Sequence, residues 1–145
     1  MDQSTVVMEQ IEDGQKLVES LIAAGMAIDA AFWAWPTEDQ QWYLYLSSPL
    51  VDREGPLAGY TKVQEVLRTM NDSLISSLDI KVLGTADPIT QAVIQVLEPR
   101  VPTGSFAVPI PHRHRGMTSI GKRSLGGLEI DGARIYPPPI PVGAN

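Results

Sequence analysis

Two apolar runs separated by a short polar break organise this chain. They occupy Asp29–Ser48, DAAFWAWPTEDQQWYLYLSS. Aromatic-rich runs either side of Pro36-Thr37-Glu38-Asp39-Gln40 give the pattern of a β-hairpin. Side chains alternate across a strand, so Ala31, Trp33 and Trp35 share one face, with Phe32 and Ala34 on the other. On the second strand Trp42, Leu44 and Leu46 share a face, with Tyr43 and Tyr45 opposite. Register decides how these sets combine. A four-residue connection, Thr37–Gln40, aligns Trp35 with Trp42 and builds a Trp/Leu face opposite a Phe/Tyr face. A five-residue connection, Pro36–Gln40, gathers Trp33, Trp35, Tyr43 and Tyr45. We take the first as the expectation. In both registers each face is apolar and needs cover or a contact.

Elsewhere the period is helical. Ile11, Leu17, Val18, Leu21 and Ile22 form one stripe over Ile11–Ala24, and Gly25 stands where a C-terminal cap is expected. Gly14 weakens the front of this helix by about 1 kcal/mol relative to alanine, which favours a start at Asp13. Residues 1–9 read as a loose N-terminus. The turn residues of Ser48–Pro56 predict a loop. Gly55-Pro56 then opens a second helix over Pro56–Met70, with Leu57, Tyr60, Val63, Leu67 and Met70 in its stripe. Asn71-Asp72 ends it. Ile80–Leu83 reads as a short strand closed by Gly84. Val93, Ile94 and Val96 favour a strand, yet Ile89, Ala92, Val93, Val96 and Leu97 recur at helical steps. With Asp87 as cap, Pro88 as first residue and Pro99 as stop, the reading is a third helix over Pro88–Glu98.

The last third is irregular: eight of the twelve prolines lie from Pro99 to Pro141. Ser105–Ile110 reads as a short edge strand, since Pro109 argues against a central one. Gly126-Gly127 is a turn. Asp131-Gly132, between Leu128–Ile130 and Ala133–Tyr136, predicts a second hairpin. Residues 137–145 read as an extended Pro-rich tail. The expectation is an α+β fold in one domain, 1–145. A mostly antiparallel sheet is built around the aromatic hairpin, with about three packed helices and short strands in the Pro/Gly-rich C-terminal region. Amphipathic helices need a sheet to cover, so the hairpin rings are expected first as core.

Composition narrows the chemistry. The 43% hydrophobic and 19% charged content is that of a globular protein with a real core. No cysteine is present, which removes disulfides, thiolate zinc sites, iron–sulfur clusters and cysteine nucleophiles. The acidic N-terminus lacks the pattern of a secretory signal, and no apolar run is long enough to span a bilayer. The expectation is a cytoplasmic protein with no membrane contact. Residues 1–98 carry 5 Lys and Arg against 15 Asp and Glu, a net of −10, whereas residues 99–145 carry 6 against 2, a net of +4. A basic segment lying on its own acidic body explains that asymmetry. The same acidic body would repel phosphate, so nucleic acid is a disfavoured partner.

Candidate chemistry is sparse. His112 and His114, at i and i+2, point the same way on an extended chain, but a metal site needs a third ligand and Arg113 and Arg115 repel a dication. The same loop, with Lys122, Arg123 and Arg134, is a candidate anion contact. No glycine-rich phosphate loop and no GxSxG serine setting accompany it. Asp52, Glu54, Asp79 and Asp87 are carboxylates at unremarkable spacing, of which capping and turn chemistry explain Asp87 and Asp52. No motif identifies a family, and no catalytic, cofactor-binding or metal residue is assigned. Trp33, Trp35, Tyr43 and Tyr45 are candidate partner contacts, because large rings bury much area at low entropic cost. The leading expectation is a non-enzymatic protein-interaction or assembly module, with a protein partner or a homo-oligomer and no cofactor. The alternatives are anion or nucleic-acid binding through His112, Arg113, His114 and Arg115, or a hydrolase or transferase built from scattered Asp, Glu and His.

Overall fold

The computed structural model describes residues 8–70, 75–97 and 117–137. The expected chain ends at 1–7 and 138–145, the helix stops at Asn71-Asp72 and Pro99, and the Ser105–Ile110 strand lie outside the described residues. Among the described residues the architecture is α+β, with four helices and a mixed six-stranded sheet. In chain order the elements are α1 (Met8–Ala23), β1 (Ala30–Pro36), β2 (Tyr43–Ser47), α2 (Pro49–Glu54) and α3 (Pro56–Leu67). A 3-10 turn (Ser77–Asp79) leads into β3 (Ile80–Leu83), followed by α4 (Pro88–Leu97), β4 (Thr118–Ile120), β5 (Arg123–Leu125) and β6 (Leu128–Ile135). The sheet order is β3-β2-β1-β6-β4, and β5 also pairs with β6. Every pairing is antiparallel except β2 with β3, which is parallel.

Strands β1 and β2 pair with Trp33 opposite Leu44 and Phe32 opposite Tyr45, the register of a four-residue connection. Cross-strand partners share a face, so this pairing sorts the rings. Ala31, Trp33, Leu44 and Leu46 pack with α1 and α3, while Phe32, Ala34, Tyr45 and Ile135 pack with Val93 of α4. The sheet is thus covered on both faces.

Helix α1 starts at Met8, ahead of the expected Ile11 or Asp13, and runs through Gly14. Gly14 is a packing residue: a Cβ there would overlap the Tyr136 hydroxyl. That hydroxyl accepts from Trp33 Nε1 at 2.9 Å and donates to the Ile11 carbonyl at 2.6 Å, all in the buried interior. A buried indole N–H without a partner is costly, so the relay fixes how closely α1 approaches the sheet. At the far end Gly25 caps the helix, with Met26 N–H on the Leu21 carbonyl and Gly25 N–H on that of Ile22.

Three expectations are corrected. The segment Ser48–Pro56 is not a loop but holds α2, whose first turn is capped by the Ser48 hydroxyl accepting from Leu50 N–H at 3.1 Å. Helix α2 buries no residue, so no apolar stripe announces it. Helix α3 turns Gly59, Val63 and Val66 inward and leaves Leu57 77% exposed. At about 100° per residue, Leu57 lies on the side of the helix opposite Gly59 and Val66. Gly59 decides that rotation, because its missing side chain makes room for Val82 of β3 and Val51 of α2. Finally, Asp131-Gly132 is not a hairpin turn, and β6 runs straight through it. Trp35 pairs with Gly132 and Pro36 with Ile130, so Asp131 is an extra residue, a β-bulge. Pro36 has no N–H for the ladder, and the register slips there. The true turn is Gly126-Gly127 between β5 and β6, with φ of 57° and 96°. Positive φ at both central residues suits the twist of a two-residue hairpin.

The edge strand β3 is short, and Tyr60 closes part of its free side by accepting the Val82 N–H at 3.1 Å. Such covering discourages pairing with another chain.

The Gly14 contact gives an opposite-sign test. Glycine to alanine inside a helix ordinarily stabilises by about 1 kcal/mol. Here Gly14→Ala is expected to destabilise by roughly 1–2 kcal/mol, because the methyl group displaces Tyr136 from its two partners. Urea denaturation checks it; a stabilised variant would refute the close-approach argument.

Candidate functional site

Three places on the molecule gather chemistry-bearing or ring side chains. The first is the hairpin. Trp33 is 1% exposed and belongs to the core under α1. Tyr45 is likewise buried, stacked on Phe32 at 5.0 Å with the rings 3° from parallel. Burial pushes the Tyr45 phenol up to about 12 from its ordinary 10.0, with the Asp39 carboxylate adding to the shift. Tyr136 also rises to about 12, mainly by burial; the hydrogen bond from Trp33 opposes that rise. Trp35 and Tyr43 are half-buried. Trp35 meets Trp42 edge to face at 5.6 Å, and Tyr43 lies under Lys81 Nζ at 4.6 Å. Of the four candidate rings, two are therefore core, and the other two lie on opposite faces of the sheet. Trp42 Nε1 and Arg134 Nε are buried and have no hydrogen-bond partner among the described residues.

His112, Arg113, His114 and Arg115 lie outside the described residues. Two of the basic residues grouped with them, Arg123 and Arg134, do not converge. Arg123 pairs with Ile130 on the α4 face, whereas Arg134 pairs with Trp33 on the α1 face. They point to opposite sides of the sheet and cannot share one anion.

The second place is the end of the parallel pair β2 and β3. Asp52 accepts Thr85 N–H at 2.6 Å and Ala86 N–H at 3.4 Å. Thr85 Oγ1 donates to Asp29. Asp87 accepts Ile89 N–H at 2.8 Å at the start of α4, and Thr90 Oγ1 donates to the Gly84 carbonyl at 2.9 Å. Each carboxylate here accepts from backbone N–H or hydroxyl groups of the segment leading into α4. Among the described residues no group of three or more His, Asp or Glu side chains is placed to hold a metal ion.

The third place is an open cleft of about 730 Å³ between the α1–β1 turn, α2 and α3. Leu50, Leu57 and Ala58 give it an apolar floor and rim. Arg53, Glu54, Lys62 and Glu65 are its charged residues, two of each sign. The α2–Gly55–α3 turn creates the cleft, since Gly55 at φ 94° lets a second helix start directly after the first. The sequence reading missed it. Its signals were present as Ser48-Pro49, a cap followed by a first-turn proline, and as the inward-facing set Gly59, Val63 and Val66.

No described helix is long and apolar enough to cross a membrane. Comparison of the chain with protein-family models, with curated proteins and with solved structures finds no match.

Two predictions follow from this chemistry. Asp52→Ala is expected to cost about 1 kcal/mol by freeing two backbone N–H groups, as loss of a helix cap does. Thermal denaturation measures it, and an unchanged midpoint would remove Asp52 from that structural role. The buried phenols set an alkaline limit. Their folded values near 12 lie above the unfolded 10.0, so their contribution is complete below pH 10 and is lost as pH rises through 12. Denaturant midpoints are expected to fall across that window, and Tyr136→Phe should flatten part of the fall.

Proposed function

We propose that this protein is a non-enzymatic interaction module that docks a protein surface in the α2–α3 cleft. The observation that carries the reading is Leu57, 77% exposed on the rim of that cleft. A large apolar side chain held in water beside a concave, partly apolar surface favours binding another protein. Two further features support it. The hairpin rings are largely spent in the two cores, so the aromatic surplus does not supply a partner surface by itself. The carboxylates at the strand ends are occupied by structural hydrogen bonds, which weakens the case for a hydrolase there. The reading needs no cofactor. It keeps nucleic acid disfavoured, since the charge of residues 1–98 is strongly negative. It includes a cytoplasmic location, which suits a chain without cysteine.

Affinity capture with three proteins tests it: wild type, Leu57→Asp, and Leu78→Asp as control. Leu78 is 85% exposed but lies away from the cleft, on the 3-10 turn. A protein identified by mass spectrometry and reconstituted in pure form should bind wild type and Leu78→Asp, and lose affinity for Leu57→Asp by roughly 30-fold. Equal binding by all three would move the contact away from the cleft.

A further inference from the structure

One apolar side chain of the cleft stands out into water. Leu57 projects from the rim of the same concavity that Leu50 and Ala58 line. Knob and hollow on one face are the geometry of an isologous contact, in which one patch meets itself across a two-fold axis. The charges agree. The chain as a whole is −6, so two copies repel at most approaches. The cleft, by contrast, holds Arg53 and Lys62 with Glu54 and Glu65 and is locally neutral. Across a two-fold, a patch with both signs allows cations of one copy to face anions of the other, which a patch of one sign does not. We propose that the occupant of the cleft is a second copy of this chain, with Leu57 of each copy seated in the cleft of the other. This rests on the docking role proposed above and names its partner.

Other surfaces serve a second copy less well. The β3 edge is short and partly closed by Tyr60, which discourages joining two sheets there. Leu78 is more exposed than Leu57 but does not line the cleft.

Sedimentation velocity over a concentration series provides the test, using the full chain. Wild type is expected to show a concentration-dependent monomer–dimer equilibrium. Leu57→Asp should weaken it by roughly 30-fold, while Leu78→Asp leaves it unchanged. A charge-swap pair adds a gain of function that misfolding cannot imitate. Arg53→Glu with Lys62→Glu makes an all-acidic cleft, and Glu54→Lys with Glu65→Lys an all-basic one. Each alone should remain monomeric, and an equimolar mixture should form heterodimers. A wild type that stays monomeric throughout overturns the inference. So does a dimer that survives Leu57→Asp, or a swap mixture that stays monomeric. If wild type is monomeric yet another protein binds in a Leu57-dependent way, the second copy falls and the docking role stands; if neither occurs, both fall.

Discussion

The buried relay from Trp33 Nε1 through the Tyr136 hydroxyl to the Ile11 carbonyl is the constraint on which the rest of the structure depends. It ties the first helix, the central strand and the end of the last strand, across as many as 125 positions of sequence. An indole and a phenol can bury large apolar areas only if their polar atoms find partners. Here each is the other's partner, and the backbone of α1 takes the remaining proton. The geometry works only with α1 drawn close, and Gly14 permits that closeness. Once α1 is fixed on one face, α3 packs beside it and the opposite face is left to α4.

Covering both faces has a functional consequence. A hairpin with so many rings looks like a binding platform, yet Trp33 and Tyr45 are consumed by the two cores. Surface chemistry is displaced to the outer sides of the helices. Helix α2 is the extreme case, since it buries no residue. It is held by the partly buried Leu50 and Val51, which pack against the core on the α1 and α3 side, and by hydrogen bonds: Ser48 caps its start, and Asp52 reaches across to the turn before α4. The same helix forms a wall of the cleft where Leu57 stands exposed.

Much of the local structure was legible from residues. Asp87-Pro88 ahead of a helical period marked α4, Gly25 marked the end of α1, and Ile80–Leu83 marked a strand. Each rests on a local rule, either a cap, a breaker or a period. The failures have other causes. Asp131-Gly132 has the chemistry of a turn, but Pro36 on the neighbouring strand made it a bulge. Leu57 fits a helical stripe, but Gly59 against Val82 rotated the helix away from it. The cleft depends on α2, which has a cap and a first-turn proline but no buried residue to give it a periodic stripe. For the bulge and for Leu57 the deciding atom lay on a different element.

The sequence by itself therefore determined three of the helices, the hairpin strands and β3 with their approximate bounds, and the two opposed sets of side chains on each hairpin strand, but not α2, β4, β5 or the continuity of β6. Caps, breakers and periodicity act within a few residues, where backbone sterics and hydrogen bonding are strong enough to decide. Only the tertiary structure decided the parallel pairing of β3, the bulge in β6, the rotation of α3 and the exposure of Leu57. Those outcomes turn on steric fit and shared hydrogen bonds between distant segments, and no window of sequence contains both partners.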